Sequence, residues 1–148
     1  MFRGHFEHAI DAKGRTSLPS RFRDVLGSAG DALVVLTPSP FDACLHLFPM
    51  KAWEEFEAKI AALPQFEPNV IKLRRLYVSA AVECEVDKQG RVLVPPDLAR
   101  HAGLGKDVAV VGVHDHVEIW SRPEWADHVS AIEGSVGDVA ERAADRRG

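Results

Sequence analysis

Five residues near the amino terminus have the types and spacing to bind a nucleic acid. The segment Asp11–Arg15 reads Asp-Ala-Lys-Gly-Arg and lies between two short, partly apolar stretches. Aspartate accepts hydrogen bonds from backbone groups just ahead of it, and Gly14 adopts a positive φ without steric cost, so the segment predicts a tight turn. A guanidinium at Arg15, carried on a narrow two-stranded ribbon, can enter a major groove and bind a guanine edge or a phosphate.

A structural interpretation of the same residues is that Arg15 pairs with Asp11 across the turn and merely holds it together. The two interpretations are compatible, because Asp11 could also orient an arginine that contacts DNA. Other basic residues nearby are candidates for phosphate contacts, which position a protein on DNA without reading its sequence. The alternative for them is a solvated basic face. They are Arg3, Lys13, Arg21 and Arg23.

The turn motif occurs twice in the chain. Asp87–Arg91 reads Asp-Lys-Gln-Gly-Arg, and Pro95 follows it at the spacing at which Pro19 follows the first copy. The correspondence extends as far as Trp53 in the first copy and Trp125 in the second. An internal repeat of this kind determines how the rest of the chain is interpreted. Each copy has roughly seventy residues, a size at which a lone core is marginal, so the copies should pack together or on other chains.

The residues around each turn predict the elements that hold it. Alternating apolar and charged residues in Val82–Val86 predict a half-buried strand ahead of the second turn. Proline is favoured at the first position of a helix, so helices are expected over Pro19–Leu26 and Pro96–Ala102. Continuous apolar runs rich in branched residues, Ala32–Leu36 and Val108–Val111, predict buried strands. The pattern is that of an α+β chain that is mainly β.

Composition divides the chain into four parts. Residues 1–63 form the first module, residues 64–80 a proline-flanked linker with a short helix, and residues 81–132 the second module. Residues 133–148 contain three glycines and little large apolar surface. They predict a frayed helix or a disordered, flexible tail.

Other chemistry-bearing residues have structural interpretations. Cys44 and Cys84 lack metal-type spacing and are predicted to be buried, reduced thiols. His114–His116 places two histidines at a hairpin tip without a third ligand nearby, which predicts an exposed turn and no metal. The sequence contains no phosphate-cradling glycine motif and no nucleophile elbow, so we expect no enzyme, no cofactor and no small-molecule substrate. Three tryptophans fit core packing or a subunit interface better than base stacking: Trp53, Trp120 and Trp125.

The charge of the chain is unevenly distributed. Its net charge of −4 does not by itself indicate a nucleic-acid binder. Residues 3–23 carry five basic and two acidic side chains, whereas residues 82–104 carry three basic and four acidic ones. The first module is therefore expected to face any polyanion. Because no apolar run approaches the ~20 residues that span a bilayer and the amino terminus has no apolar signal core, we expect a cytoplasmic protein without a membrane partner.

With its repeats aligned, the chain resembles the MraZ family of bacterial transcriptional regulators from Phe2 to about Ile132. One departure is polar Thr16–Ser17 where the second copy has apolar Val92–Leu93, which predicts a more exposed first hairpin. The resemblance is carried by four segments: Asp11–Arg15 with Pro19 and Phe22; Arg75–Tyr77 with Ala81 and Glu83; Asp87–Pro95; and Val111 with Glu118–Trp120 and Trp125.

The resemblance implies two tandem modules of the SpoVT–AbrB, swapped-hairpin type, packed as a pseudo-symmetric barrel-like core with flanking helices. It implies binding to double-stranded DNA through the first hairpin, by a homo-oligomeric ring that presents several hairpins to repeated promoter sites. It further implies a nucleoid-associated regulator, usually a repressor, of the division and cell-wall gene cluster. The residues expected to serve are Arg15, Lys13, Asp11, Gly14, Arg3, Arg21 and Arg23.

Two points remain open at the level of sequence. Asp87, Gly90 and Arg91 repeat the turn in a less basic setting, and a structural or oligomer-contact role is favoured for them over direct DNA binding. The alternative function is an antitoxin-like regulator that binds a protein partner through residues 133–148, although this tail lacks the apolar anchors that an induced helix needs. A purely structural oligomer is a third hypothesis, which the uneven charge disfavours.

Overall fold

The same series of strands and helices occurs twice along the chain, once in each sequence copy. The structure, a computed structural model, describes residues 1–28 and 33–145. In this part of the chain helical residues outnumber strand residues, chiefly because the last helix has 24 residues, so the chain is α+β but not mainly β. The strands are β1 Phe2–Ala9, β2 Arg15–Ser17, β3 Leu33–Pro38, β4 Cys44–Pro49, β5 Val82–Glu85, β6 Arg91–Leu93, β7 Asp107–His114 and β8 His116–Ser121. The helices are α1 Ser20–Ser28, α2 Met50–Ala61, α3 Pro68–Leu73, α4 Pro96–His101 and α5 Arg122–Asp145, and a π-helical turn, Arg74–Val78, extends α3.

The two copies exchange their first strands. Six strands form one sheet in the order β1-β7-β8-β4-β3-β5. Strand β1 of the first copy pairs with β7 of the second, and β5 of the second copy pairs with β3 of the first. Strands β1, β3 and β4 of the first copy are equivalent to β5, β7 and β8 of the second. If each strand is replaced by its equivalent, the order read from one edge is the order read from the other. This is the pattern of a swapped arrangement. The sheet is open, with β1 and β5 at its edges, so the expected barrel-like core is not confirmed.

The narrow ribbon expected from one copy alone is built from both copies. Strand β2 pairs with β6 in a separate two-stranded sheet, and Thr16 lies directly opposite Val92 at its centre. Within the first copy, β1 and β2 meet only at an isolated bridge between Ile10 and Thr16. The two turns therefore project from opposite ends of a shared ribbon.

One hydrophobic core draws on both copies. Phe22 of α1 is almost fully buried and packs edge-on against Phe2 and Phe6 of β1, with ring centroids 5.4 and 5.3 Å apart. The same cluster contains buried residues of the second copy, among them Val92 and Leu98. Because a unit of about seventy residues buries little surface by itself, this shared core makes the two copies depend on each other for stability.

Two smaller clusters cover the outer face of the sheet. Helix α2 and the π-helical turn pack Trp53 and Tyr77 against Phe48 of β4. Helix α5 packs Trp125 against Trp120 of β8, in a cluster that also contains Cys44. Trp53 and Trp120 are buried in these clusters, and Trp125 is partly buried. Cys44 is fully buried and Cys84 half-buried, and both are free thiols.

Helix boundaries agree with the sequence except at the carboxyl end. Helices α1 and α4 each begin one residue after the prolines Pro19 and Pro95. Strand β3 occupies the first predicted apolar run from Leu33 onward, and Ala32 lies outside the described residues. Helix α5 continues to Asp145, past the expected end of the second module at residue 132. In the described part of the chain, no helix is both long and apolar enough to cross a membrane.

Gly112 lets β1 approach β7, which makes it a test of the strand exchange. A Cβ at this position would lie 2.5 Å from Arg3 N and 2.7 Å from Phe2 C, both backbone atoms of β1. We expect Gly112→Ala to lower the free energy of unfolding by roughly 1–3 kcal/mol, because the exchanged strand must shift to accept the methyl group. Urea denaturation measures the change. Gly105→Ala is the control, since nothing lies within 4 Å of a Cβ there. Equal urea midpoints for the two variants would contradict the β1–β7 pairing.

Candidate nucleic-acid interface

The first turn is organised by the carboxylate of Asp11. Its Oδ1 accepts hydrogen bonds from the backbone N–H groups of Lys13 and Arg15, each at 2.9 Å, while Gly14 has a φ of 84°. Its Oδ2 accepts a hydrogen bond from Arg15 Nε at 3.0 Å. One carboxylate thus fixes both the path of the backbone and the direction of the guanidinium.

Arg15 keeps part of its hydrogen-bonding capacity. Its side chain is 28% exposed, and among the described residues its two Nη groups have no hydrogen-bond partner. Backbone and side-chain hydrogen bonds from Arg15 hold the pKa of Asp11 below its usual value. The carboxylate is exposed, so this pair contributes little to stability. Asp11 therefore holds Arg15 as the structural interpretation expects, without using all of the hydrogen-bond donors of the guanidinium.

The second turn repeats this geometry. Asp87 Oδ1 accepts from the backbone N–H groups of Gln89 and Arg91 at 2.9 Å, and its Oδ2 accepts from Arg91 Nε at 2.9 Å. Gly90 has a φ of 76°. The pKa of Asp87 is lowered, as for Asp11, first by the backbone hydrogen bond from the arginine. Local structure alone therefore does not distinguish the two arginines.

The surroundings of the two turns differ because of the strand exchange. The Arg23 side chain of α1 lies against Gly90, so an added Cβ at Gly90 would collide with it. At Gly14 the nearest atoms to such a Cβ are Val94 O and Leu93 Cδ1, at 3.5 and 3.6 Å. Arg23 thus belongs to the first copy in sequence but to the second turn in space.

Arg3 and Arg21 form a third group. They line a shallow cavity together with Met1 and Phe22, and Arg3 Nη2 lies 3.2 Å from Met1 Sδ. Arg3 lies eight positions before Asp11 along mostly extended chain, a length of roughly 26 Å at the rise of a strand. The basic residues singled out in the sequence therefore occupy three places and not one continuous patch.

The first ribbon strand is not the more exposed one. Thr16 and its equivalent Val92 are both buried, and Ser17 is less exposed than its equivalent Leu93, which is 56% exposed. The prediction of a more exposed first hairpin was wrong, because Thr16 pairs with Val92 and both face the shared core. The Thr16 hydroxyl is buried without a hydrogen-bond partner among the described residues.

A buried polar cluster on the outer face of the sheet was missed by the sequence analysis. His46 Nδ1 lies 2.6 Å from the Tyr77 hydroxyl, and His46 Nε2 lies 3.2 Å from Glu118 Oε2. His116 Nε2 approaches the same oxygen at 3.5 Å. The prediction of a plain exposed turn at His114–His116 was wrong for His116, whose side chain is only 15% exposed. Burial lowers the pKa of His116, but the neighbouring carboxylates of Glu118 and Asp115 outweigh this effect and raise it.

The repeat itself contained the signal for this cluster. Leu45 aligns with Val117, so the next residues, His46 and Glu118, occupy equivalent positions of the two copies. Equivalent residues of paired strands meet on the axis that relates the copies, and these two are cross-strand partners. Aligning the copies and asking which equivalent strands pair would have brought the two residues together.

Comparison with known proteins gives consistent matches over nearly the whole chain. A family model described as "MraZ protein, putative antitoxin-like" matches residues 1–75 and 77–147. The chain is 42% identical over 145 residues to the Transcriptional regulator MraZ of Heliobacterium modesticaldum, with 98% of each chain covered. It is 43% identical over 145 residues to that of Desulforamulus reducens, covering 98% of this chain and 99% of the relative. For Thermomicrobium roseum the identity is 41% over 144 residues, covering 97% and 98%.

The exchanged double-copy fold and these matches define a transcriptional regulator. The chain belongs to the MraZ family. Its relatives are named as transcriptional regulators and not as enzymes, which confirms the expectation that the chain is not an enzyme.

The unpaired hydroxyl of Thr16 predicts a stabilising substitution. Thr16→Val removes a buried, unsatisfied polar group while keeping the shape of the side chain, and valine already occupies the equivalent position in the second copy. We expect the free energy of unfolding to rise by about 1–2 kcal/mol. Thermal and urea denaturation measure it. The reciprocal change Val92→Thr should lower stability, and a lower stability for Thr16→Val would show that the hydroxyl has a partner.

Proposed function

We propose that this protein is a sequence-specific DNA-binding regulator that contacts DNA with the exposed face of the β2–β6 ribbon. The observation that carries the proposal is the Asp11 carboxylate holding Arg15 Nε while both Nη groups stay free of protein hydrogen bonds in the described part of the chain. Arginine donates two parallel hydrogen bonds to O6 and N7 of guanine in the major groove. A guanidinium that is already oriented loses less conformational freedom on binding.

The register of the ribbon supports a face with two arginines. Thr16 and Val92 are buried, so the alternating residues Arg15 and Arg91 project from the opposite, exposed face. Arg15 lies opposite Leu93, which makes Arg91 its diagonal neighbour at about 7–8 Å. The proposal therefore assigns both arginines, with the turns that hold them, to one DNA-binding face. This differs from the structural or oligomer-contact role favoured for the second turn by sequence alone.

The remaining basic residues have secondary roles in the proposal. Lys13 on the first turn and Arg23 beside the second turn flank the two arginines and are assigned to phosphates. Arg3 and Arg21, at the far end of β1, are phosphate contacts for DNA that extends along this strand. Residues 1–63 and 81–132 remain the two modules, joined by residues 64–80 and followed by residues 133–148.

The proposal includes a homo-oligomeric ring that binds repeated promoter sites. One ribbon with two arginines binds weakly, whereas several ribbons on one assembly gain effective concentration on repeated sites. In this proposal the protein acts at the nucleoid and represses the division and cell-wall gene cluster. Its membership of a family of transcriptional regulators supports a role at promoters.

The first experiment measures DNA binding by fluorescence anisotropy with single ribbon variants. We expect Arg15→Ala to weaken specific binding about tenfold to a hundredfold per site, because each bidentate base contact discriminates by about 1–3 kcal/mol. Arg91→Ala should show a comparable loss if the two arginines share a face. The double variant should bind at the level of random DNA.

Arg100→Ala is the charge-matched control for these variants. Arg100 is an exposed arginine of α4 that pairs with Asp97, so its loss changes the net charge equally but leaves the ribbon intact. Circular dichroism and sedimentation of each variant separate lost binding from lost folding or assembly. Unchanged affinity in a folded Arg15→Ala protein would contradict the proposal.

A second experiment tests multivalency. Binding to DNA with several repeated sites should be tighter than binding to one site by about 10²–10⁴. The affinity should fall steeply with salt as counterions are released. Sedimentation at the binding concentration should show an oligomer. A monomer that binds one site and several sites equally well per site would contradict the ring.

The alternative function is an antitoxin-like regulator that binds a protein partner. The matching family model is described as "putative antitoxin-like", which supports this alternative. In that case residues 133–148, most of which continue helix α5, would supply the partner surface. Weak binding to any DNA, unchanged by Arg15→Ala, would favour this alternative.

A further inference from the structure

The polar cluster on the outer face of the sheet brings together donors suited to a transition metal. Cys44, His46 and Glu118 each place a ligand atom within 4.8 Å of the other two. Cys44 and His46 are alternate residues of β4, and Glu118 is the cross-strand partner of His46, so the three side chains share one face of the sheet. Donors of a tetrahedral zinc ion lie about 3.3–3.8 Å apart, given bonds of about 2.0–2.3 Å. The 3.2 Å between His46 Nε2 and Glu118 Oε2 is already close to this separation.

Two of these donors, His46 and Glu118, are each oriented by a second residue. The Tyr77 hydroxyl contacts His46 Nδ1 at 2.6 Å, which leaves Nε2 directed towards Glu118. Trp120 Nε1 donates a hydrogen bond to Glu118 Oε1 at 3.0 Å, which leaves Oε2 available. Partners of this kind, which fix the ring and carboxylate orientation, accompany metal ligands in proteins.

His116 adds an unsatisfied polar atom beside the donors. Its Nε2 is buried and has no hydrogen-bond partner among the described residues, although it lies 3.5 Å from Glu118 Oε2. A water molecule on the open position of a three-ligand metal site would supply the missing partner. His116 and Tyr77 also line, together with His46, a cavity of about 280 Å³ beside the cluster.

Charge balance favours a divalent cation at this place. Cys44 is fully buried, and its Sγ lies within 4.8 Å of a Glu118 carboxylate oxygen. A divalent ion between them would stabilise the thiolate, and the proton of the thiol would pass to solvent. The ion, one thiolate and one carboxylate together carry no net charge, which removes the cost of an isolated buried charge.

We propose that Cys44 Sγ, His46 Nε2 and Glu118 Oε2 form a zinc-type metal site that joins the first copy to the second. Sulfur, imidazole and carboxylate donors with an open fourth position match Zn²⁺, and Co²⁺ takes the same geometry as a spectroscopic substitute. The site lies between β4 and β8, so a bound ion would link the central strands of the sheet. The proposal is independent of whether the ribbon binds DNA.

The test is a Co²⁺ titration of the tag-free, chelator-treated full chain. We expect one Co²⁺ per chain, with a thiolate-to-cobalt charge-transfer band in the near ultraviolet that Zn²⁺ abolishes by displacement. Zn²⁺ should also raise the melting temperature of the protein. Surface histidines cannot produce the charge-transfer band, because it requires a sulfur ligand.

The two cysteines provide a matched pair of variants. Cys44→Ser should lose the band, whereas Cys84→Ser should keep it, since Cys84 lies outside the cluster. Glu118→Gln, which keeps the shape of its side chain, should weaken Co²⁺ binding at least tenfold even if Cys44→Ser fails to fold. Absence of the band in folded Cys84→Ser protein, or its persistence in folded Cys44→Ser protein, would overturn the proposal.

Discussion

The structure depends on the pairing of equivalent strands across an approximate two-fold axis. Thr16 and Val92 meet on this axis in the β2–β6 ribbon, and His46 and Glu118 meet on it in the large sheet. Because β1 and β5 cross to the partner copy, neither copy has a complete sheet of its own. The shared core is the energetic consequence: residues from both halves must be in place before either buries its apolar surface.

The same axis determines where the two candidate sites lie. On the ribbon it places Arg15 and Arg91 on one exposed face, each held by the aspartate of its own turn. On the outer face of the sheet it brings polar side chains together beside the aromatic cluster under α2 and the cluster under α5. These polar side chains are His46, Glu118 and His116. The interface and the buried cluster thus result from one symmetry, although their chemistry is unrelated.

Much of this organisation could be predicted from the sequence, and the limits have a physical cause. Turn chemistry, helix starts at Pro19 and Pro95 and the buried runs are local properties, so single segments indicate them. Strand exchange is not local: nothing within Phe2–Ala9 shows that its partner is β7 and not β2. The placement of Arg23 at the second turn, the burial of Thr16 and the meeting of His46 with Glu118 all follow from the exchange. Predicting them required knowing which copies of the repeated strands pair.

Fusion of the two copies into one chain permits pairs that a symmetric dimer excludes. In an isologous dimer a residue on the axis meets its own copy, so an acidic residue there would face a second identical charge. Here the two copies have diverged, and His46 faces Glu118 at the axis. Threonine likewise faces valine in the ribbon. Because the two copies differ in sequence, complementary side chains can pair at the axis of this fold. The base His46 and the carboxylate of Glu118 are such a pair in a buried place.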